Sequence, residues 1–103
     1  MTDILYQRRG RAHDLSITGH AGYDEHGHDI VCAGISAITY TLLGFIENHA
    51  EDLQSRDISV ESGSVFIICT GNETIDTAFD MALLGYEQIA AKYPNNVSVT
   101  YMP

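Results

Sequence analysis

Positive charge is the scarcest property of this chain. Five Lys and Arg residues stand against fourteen Asp and Glu, for a formal net charge of -9, and three of the five cations (Arg8, Arg9 and Arg11) fall within the first eleven positions. A nucleic-acid binder normally presents a basic face, so that class is disfavoured. An acidic body instead suits a basic partner, through long-range attraction that speeds encounter, and it also keeps a protein soluble. Cysteine is nearly as scarce: two residues cannot build a disulfide framework, and a reducing compartment leaves Cys32 and Cys69 as thiols. The apolar runs fall short of a membrane span, and the N-terminus lacks the basic-then-apolar pattern of a secretion signal, so a cytoplasmic location is expected. No CxxC pair, HExxH helix or glycine-rich phosphate loop is present. With 45% apolar residues in 103 positions, the composition is that of one globular domain spanning 1–103.

Hydrophobic patterning supplies the elements. "DILYQRR" and the alternating "AHDLSIT" predict a hairpin turning near Gly10, with Leu15 and Ile17 facing inward. The glycine-punctuated "GYDEHGHD" predicts a loop. From Asp29 to Asn48, Val31, Ile35, Ile38, Leu42 and Phe45 recur at helical spacing. Ile30, Leu43 and Ile46 lie outside that stripe, which predicts a largely buried helix. A strand around Asp57, Ile58 and Val60 turns at "ESGS" into "VFIICT", a continuous apolar run typical of a strand covered on both faces. Thr70 or Asn72 then caps a second helix, whose apolar face runs from Ile75 through Phe79, Leu83 and Tyr86 to Tyr93, and "YPNN" stops it. Val97, Val99 and Tyr101 form a last strand. The order ββαββαβ predicts an α+β domain: a mostly antiparallel sheet with two packed helices. Met81 and Leu84, on the polar side of the second helix, point to self-association. His13 and His49 are expected at the surface.

Chemistry concentrates in "GHAGYDEHGHDIVCAGIS", residues 19–36. With Asp29 as N-cap, Cys32 occupies the first turn of a helix, where unpaired N–H groups and the dipole favour an anionic sulfur. A second cation is needed to complete that activation, and His20, at the end of a strand, is the nearest source. A strand-loop-helix return across the twelve-residue interval brings base and nucleophile together. Asp29 either caps the helix or orients the His20 ring. Ser36, four residues after Cys32, shares its helix face, and either hydrogen-bonds at the site or bonds back to the carbonyl one turn earlier. Gly19 either permits a turn or lets a substrate backbone approach. Cysteine at an apolar helix start can also be simple packing, and Cys69, closing "VFIIC", reads as core. His20, His26, His28, Asp29 and Cys32 include zinc-ligand types, but without a recognisable ligand pattern no metal or other cofactor is assigned.

Together with "LLGYEQIAAKYPNNVSV", this segment resembles the ribosomal-processing cysteine protease (Prp) family of bacteria. The shared features are a Gly-His-Ala at a strand end and an Asp-Ile-Val-Cys-Ala helix start with a serine one turn later. The resemblance implies a thiol endopeptidase, a hydrolase that removes the N-terminal extension of a large-subunit ribosomal protein during ribosome maturation. It implies His20 and Cys32 as the catalytic pair, with Gly19, Asp29 and Ser36 at supporting positions, a homodimer, and a loop 21–28 that moves when substrate binds. His26 and His28 inherit no role. Gly34 departs from the pattern, which has alanine there. The expected chemistry is a Cys-His mechanism through an acyl-enzyme, with N–H groups near the helix start, including that of Cys32, steadying the oxyanion. The basic extension would be the substrate, with neither membrane nor direct nucleic-acid contact. A non-catalytic acidic module that binds ribosomal components is the alternative, separable by replacing Cys32.

Overall fold

The computed structural model describes residues 1–25 and 27–103. Its elements follow the order ββαββαβ: β1 (Thr2–Arg9), β2 (Ala12–Thr18), α1 (Ile30–Asn48), β3 (Leu53–Glu61), β4 (Ser64–Gly71), α2 (Glu73–Lys92) and β5 (Val97–Met102), with a short 3-10 turn at Ala50–Asp52 before β3. The five strands form one sheet in the order β3-β4-β2-β1-β5. β1 with β2, β2 with β4 and β3 with β4 run antiparallel, and β1 with β5 runs parallel. These pairings make β2 parallel to β3 and β4 parallel to β5. Each of those connections therefore needs a long crossover, and α1 and α2 supply them.

The core follows the pleat. Ile4, Tyr6, His13, Leu15, Ile17, Ile67 and Cys69 keep one parity along their strands and meet Val31, Ile35, Leu42 and Ile46 of α1 and Ile75, Phe79, Leu83 and Tyr86 of α2. Both helices thus cover the same face. That arrangement corrects the expectation for "VFIICT": Ile67 and Cys69 are buried, but Phe66 and Ile68 of the same strand are exposed on the open face. It also corrects the expectation for α1. The uncharged sequence from Ile30 to Ile46 buries one stripe only, and Ile30 and Tyr40 remain about 60% exposed (61% and 63%). By length and composition α1 does reach what a membrane crossing requires, contrary to the sequence expectation, yet its buried stripe is part of this core.

Asn72 caps α2, its Oδ1 accepting from the Thr74 N–H at 3.0 Å, which decides between the two candidate caps. Met81 and Leu84 are exposed, as their place on the helix predicts. His13 overturns its assignment to the surface: it is fully buried, stacked on Phe79 at 4.3 Å, with Nδ1 2.6 Å from the Tyr6 hydroxyl and Nε2 2.7 Å from Asp76. Arg8 and Arg11 neutralise the outer oxygen of Asp76 at 3.1 and 3.4 Å. His49 is half-buried, and its Nδ1 donates to the Phe45 carbonyl at the end of α1.

Candidate active site

An open cavity of about 780 Å³ lies where the end of β2, the loop before α1 and the β3–β4 turn converge. His20, Cys32, Gly19, Asp29 and Ser36 all line it. Strand pairing explains the convergence: β2 runs antiparallel to β4, so Thr18 pairs with Ser64, and the Gly19 N–H donates to the Gly63 carbonyl at 2.9 Å. The exposed His20 ring then rests on Gly63, where a Cβ would stand 3.0 Å from Nε2. Gly63 has φ +72, so glycine both permits the turn and leaves room for the imidazole. Gly19 has φ +89, and a Cβ there would collide with the Met1 carbonyl oxygen. The close approach that requires glycine at position 19 is thus made by the chain's own backbone.

Asp29 has the role of N-cap. Oδ1 accepts from Val31 N–H at 2.9 Å and Cys32 N–H at 3.0 Å, while Oδ2 accepts from Tyr23 N–H at 2.9 Å and Asp24 N–H at 3.3 Å. The carboxylate therefore stitches the loop to the first turn of α1. Burial alone would raise its pKa, but the four N–H donors prevail and hold it below the ordinary carboxylate value. These bonds also change the expectation for the oxyanion, because the Cys32 N–H is committed to Asp29 and the Ala33 N–H donates to the Asp29 carbonyl.

Cys32 is half-buried in the first turn of α1, and its Sγ accepts from the Ala21 N–H at 3.2 Å. This contact was not visible in the sequence, because it depends on how the segment just after β2 meets the start of α1. Ser36 is exposed at the cavity one turn on. Among the described residues, back-bonding within α1 is made by Thr39 and Thr41, to the Ile35 and Ala37 carbonyls. Gly34 faces Ile89 of α2, whose Cδ1 would lie 3.2 Å from an added Cβ, so the departure from alanine admits a larger neighbour. His26 lies outside the described residues, and among those described no group of three or more His, Cys, Asp or Glu is placed to hold a metal ion.

Comparison with known proteins decides the family. The family model described as cysteine protease Prp matches residues 1–98. The chain belongs to the Prp family of cysteine proteases. The ribosomal processing cysteine protease Prp of Bacillus subtilis (strain 168) is 49% identical over 101 residues, covering 87% of this chain and 90% of its relative. The Staphylococcus aureus (strain NCTC 8325) Prp is 28% identical over 101 residues, covering 96% and 95%. Among solved structures, a Streptococcus mutans protein superposes with a TM-score of 0.77 at 29% identity, over 99% of this chain and 94% of that one. S. aureus Prp bearing a covalently linked product peptide gives 0.81 at 23% identity, over 99% and 100%, a likeness that speaks to the fold alone. The predicted α+β class and the ββαββαβ order agree with these Prp structures.

Proposed function

We propose that this Prp-family protease removes the N-terminal extension of a large-subunit ribosomal protein, with Cys32 as nucleophile and His20 as general base and acid. The observation that carries the reading is the shared cavity, where an exposed imidazole and a half-buried thiol at a helix start face the same open space. In the first step His20 accepts the Cys32 proton and Sγ attacks the scissile carbonyl carbon, forming a C–S bond and an oxyanion. Collapse of that intermediate breaks the C–N bond as the imidazolium gives its proton to the leaving amine. Water, deprotonated by His20, then attacks the thioester, releasing the carboxylic acid and returning the proton to sulfur.

Charge supports a basic substrate. The cavity carries Asp24 and Glu61 at its rim and has no Lys or Arg among its described lining residues. The relatives are named for ribosomal processing, and that supports action in the cytoplasm as part of the same proposal. Supporting roles follow from position: Gly19 sets the direction of His20, Asp29 holds the loop on the helix, and Ser36 offers a hydroxyl to the bound peptide. A homodimer is part of the same reading, supported by the exposed apolar residues Ile30, Tyr40, Met81 and Leu84 on the two helices.

The test is direct. The protein is incubated with the extended and mature forms of the ribosomal protein, and products are read by mass spectrometry alongside Cys32→Ala and Cys69→Ala variants. One cut in the extended form, lost only with Cys32→Ala, is expected. Failure of the wild type to cut, with binding unchanged in Cys32→Ala, would establish the acidic binding module instead.

A further inference from the structure

The turn between α2 and β5, read in the sequence only as a helix stop, reaches the reacting sulfur through two hydrogen bonds. Asn96 is rigidly placed: its N–H donates to the Tyr93 carbonyl at 3.0 Å, and its carbonyl accepts from the Thr2 N–H at 2.9 Å. Its side-chain Nδ2 donates to the Ala21 carbonyl at 3.0 Å, across 75 positions of sequence. Ala21 is 2% exposed, and its own N–H is the donor to Cys32 Sγ. At the end of α2, beside the same turn, the Tyr93 ring meets the Tyr23 ring edge-on at 5.2 Å.

We propose that Asn96 is a positioning residue for the reaction: its amide fixes the Ala21 segment so that the Ala21 N–H points at Cys32 Sγ and, once the carbonyl is attacked, at the oxyanion beside it. The inference rests on Cys32 being the nucleophile. It answers a need of the geometry, because the helix-start N–H groups of Val31, Cys32 and Ala33 are all committed to Asp29. Ala21 offers a donor from outside the helix, its N–H already in contact with sulfur. Preorganisation requires that this peptide be held before substrate arrives, and the carbonyl of Ala21 is the handle by which Asn96 holds it.

Asn96→Ala removes the side-chain donor and leaves both backbone bonds of residue 96 in place. Asn96→Asp keeps the size and replaces the donor with a carboxylate, and it serves should the alanine variant fold poorly. Two readouts are taken on folded protein: kcat and KM on the extended substrate, and the rate of Cys32 alkylation by iodoacetamide at fixed pH, resolved by peptide mass spectrometry. The expected result is a kcat lower by about tenfold with KM changed less than about twofold. Alkylation should slow by about threefold or more, with the melting temperature held within about 5 °C. Unchanged kcat and unchanged alkylation would overturn the proposal while leaving the protease reading intact. A wild type that leaves the extended substrate uncut would reject the ribosomal-substrate reading and with it the role of Asn96 in that reaction. Slowed alkylation would then show only that Asn96 holds the Ala21 N–H on the Cys32 sulfur.

Discussion

Among the described residues, two cysteine-histidine combinations differ sharply in their exposure. His13 and Cys69 are direct partners in the β2–β4 register, side by side on the covered face of the sheet. Both are fully buried, and both ring nitrogens of His13 are engaged, by Tyr6 and Asp76. Burial pushes the Cys69 thiol up to about 11, against the opposing field of Arg56. His20 and Cys32 use the same residue types, two positions past the end of β2 and at a helix start, yet they open onto a cavity. Residue type alone therefore does not make a thiol site. Solvent access is what separates the two, and the buried combination is part of the core.

The largest contrast is expected from removing each sulfur in turn. Cys32→Ala should lower cleavage on the order of 10⁴-fold or more, as loss of a nucleophile does in covalent catalysis. Cys69→Ala should leave kcat within twofold of wild type and lower stability by about 1 kcal/mol, read by urea unfolding. Equal activity losses in the two variants would erase the distinction between the pairs.

Next in size is the buried network around His13. Asp76→Ala leaves a buried histidine and Arg8 without their carboxylate, and should cost about 3 kcal/mol or more in urea unfolding, while folded protein keeps its cleavage rate. A kcat that falls with stability intact would show that the two regions are coupled.

Asp29 gives a smaller effect with a pH signature. Asp29→Ala should cost about 1–2 kcal/mol through loss of the helix cap, and it should also reduce activity by freeing the loop that carries Tyr23. The Asp29 carboxyl lies below its ordinary value in the folded state, so its contribution is fully present above the unfolded value of about 3.9 and is lost as pH falls through the folded value. Asn at position 29 should therefore flatten the acid limb of the stability profile below about pH 4 and leave the neutral-to-alkaline limb unchanged in shape. The smallest change is Gly34→Ala, which trades helix propensity against displacement of the Ile89 methyl and should move stability by less than about 1 kcal/mol.

The order of elements, the start of α1 and the hairpin at Gly10 were legible in the sequence, since each rests on local spacing and capping chemistry, whereas the start of α2 was narrowed only to Thr70 or Asn72. Asp29 as cap was one of two alternatives there, and the structure chose it because its two oxygens meet four N–H groups, some from a loop whose path no periodicity records. The placement of His13 failed for a similar reason. A histidine between Ala12 and Asp14 looks like a surface residue until Asp76 arrives from a helix 63 positions away to partner it. The strand "VFIICT" misled because an apolar run records hydrophobicity, whereas the number of covered faces depends on where both crossover helices land.

By itself the sequence determined the α+β order, the acidic surface, and the motif that joins a histidine at a strand end to a cysteine at a helix start. These follow from composition and from spacing over a few residues, where backbone periodicity and capping act. Only the tertiary structure decided which Cys-His pair is open, that the Cys32 N–H is already taken, and that Asn96 reaches the Ala21 peptide beside the sulfur. Those outcomes depend on hydrogen-bond commitments between segments distant in the chain, and a buried polar group takes whichever partner the packed fold brings to it.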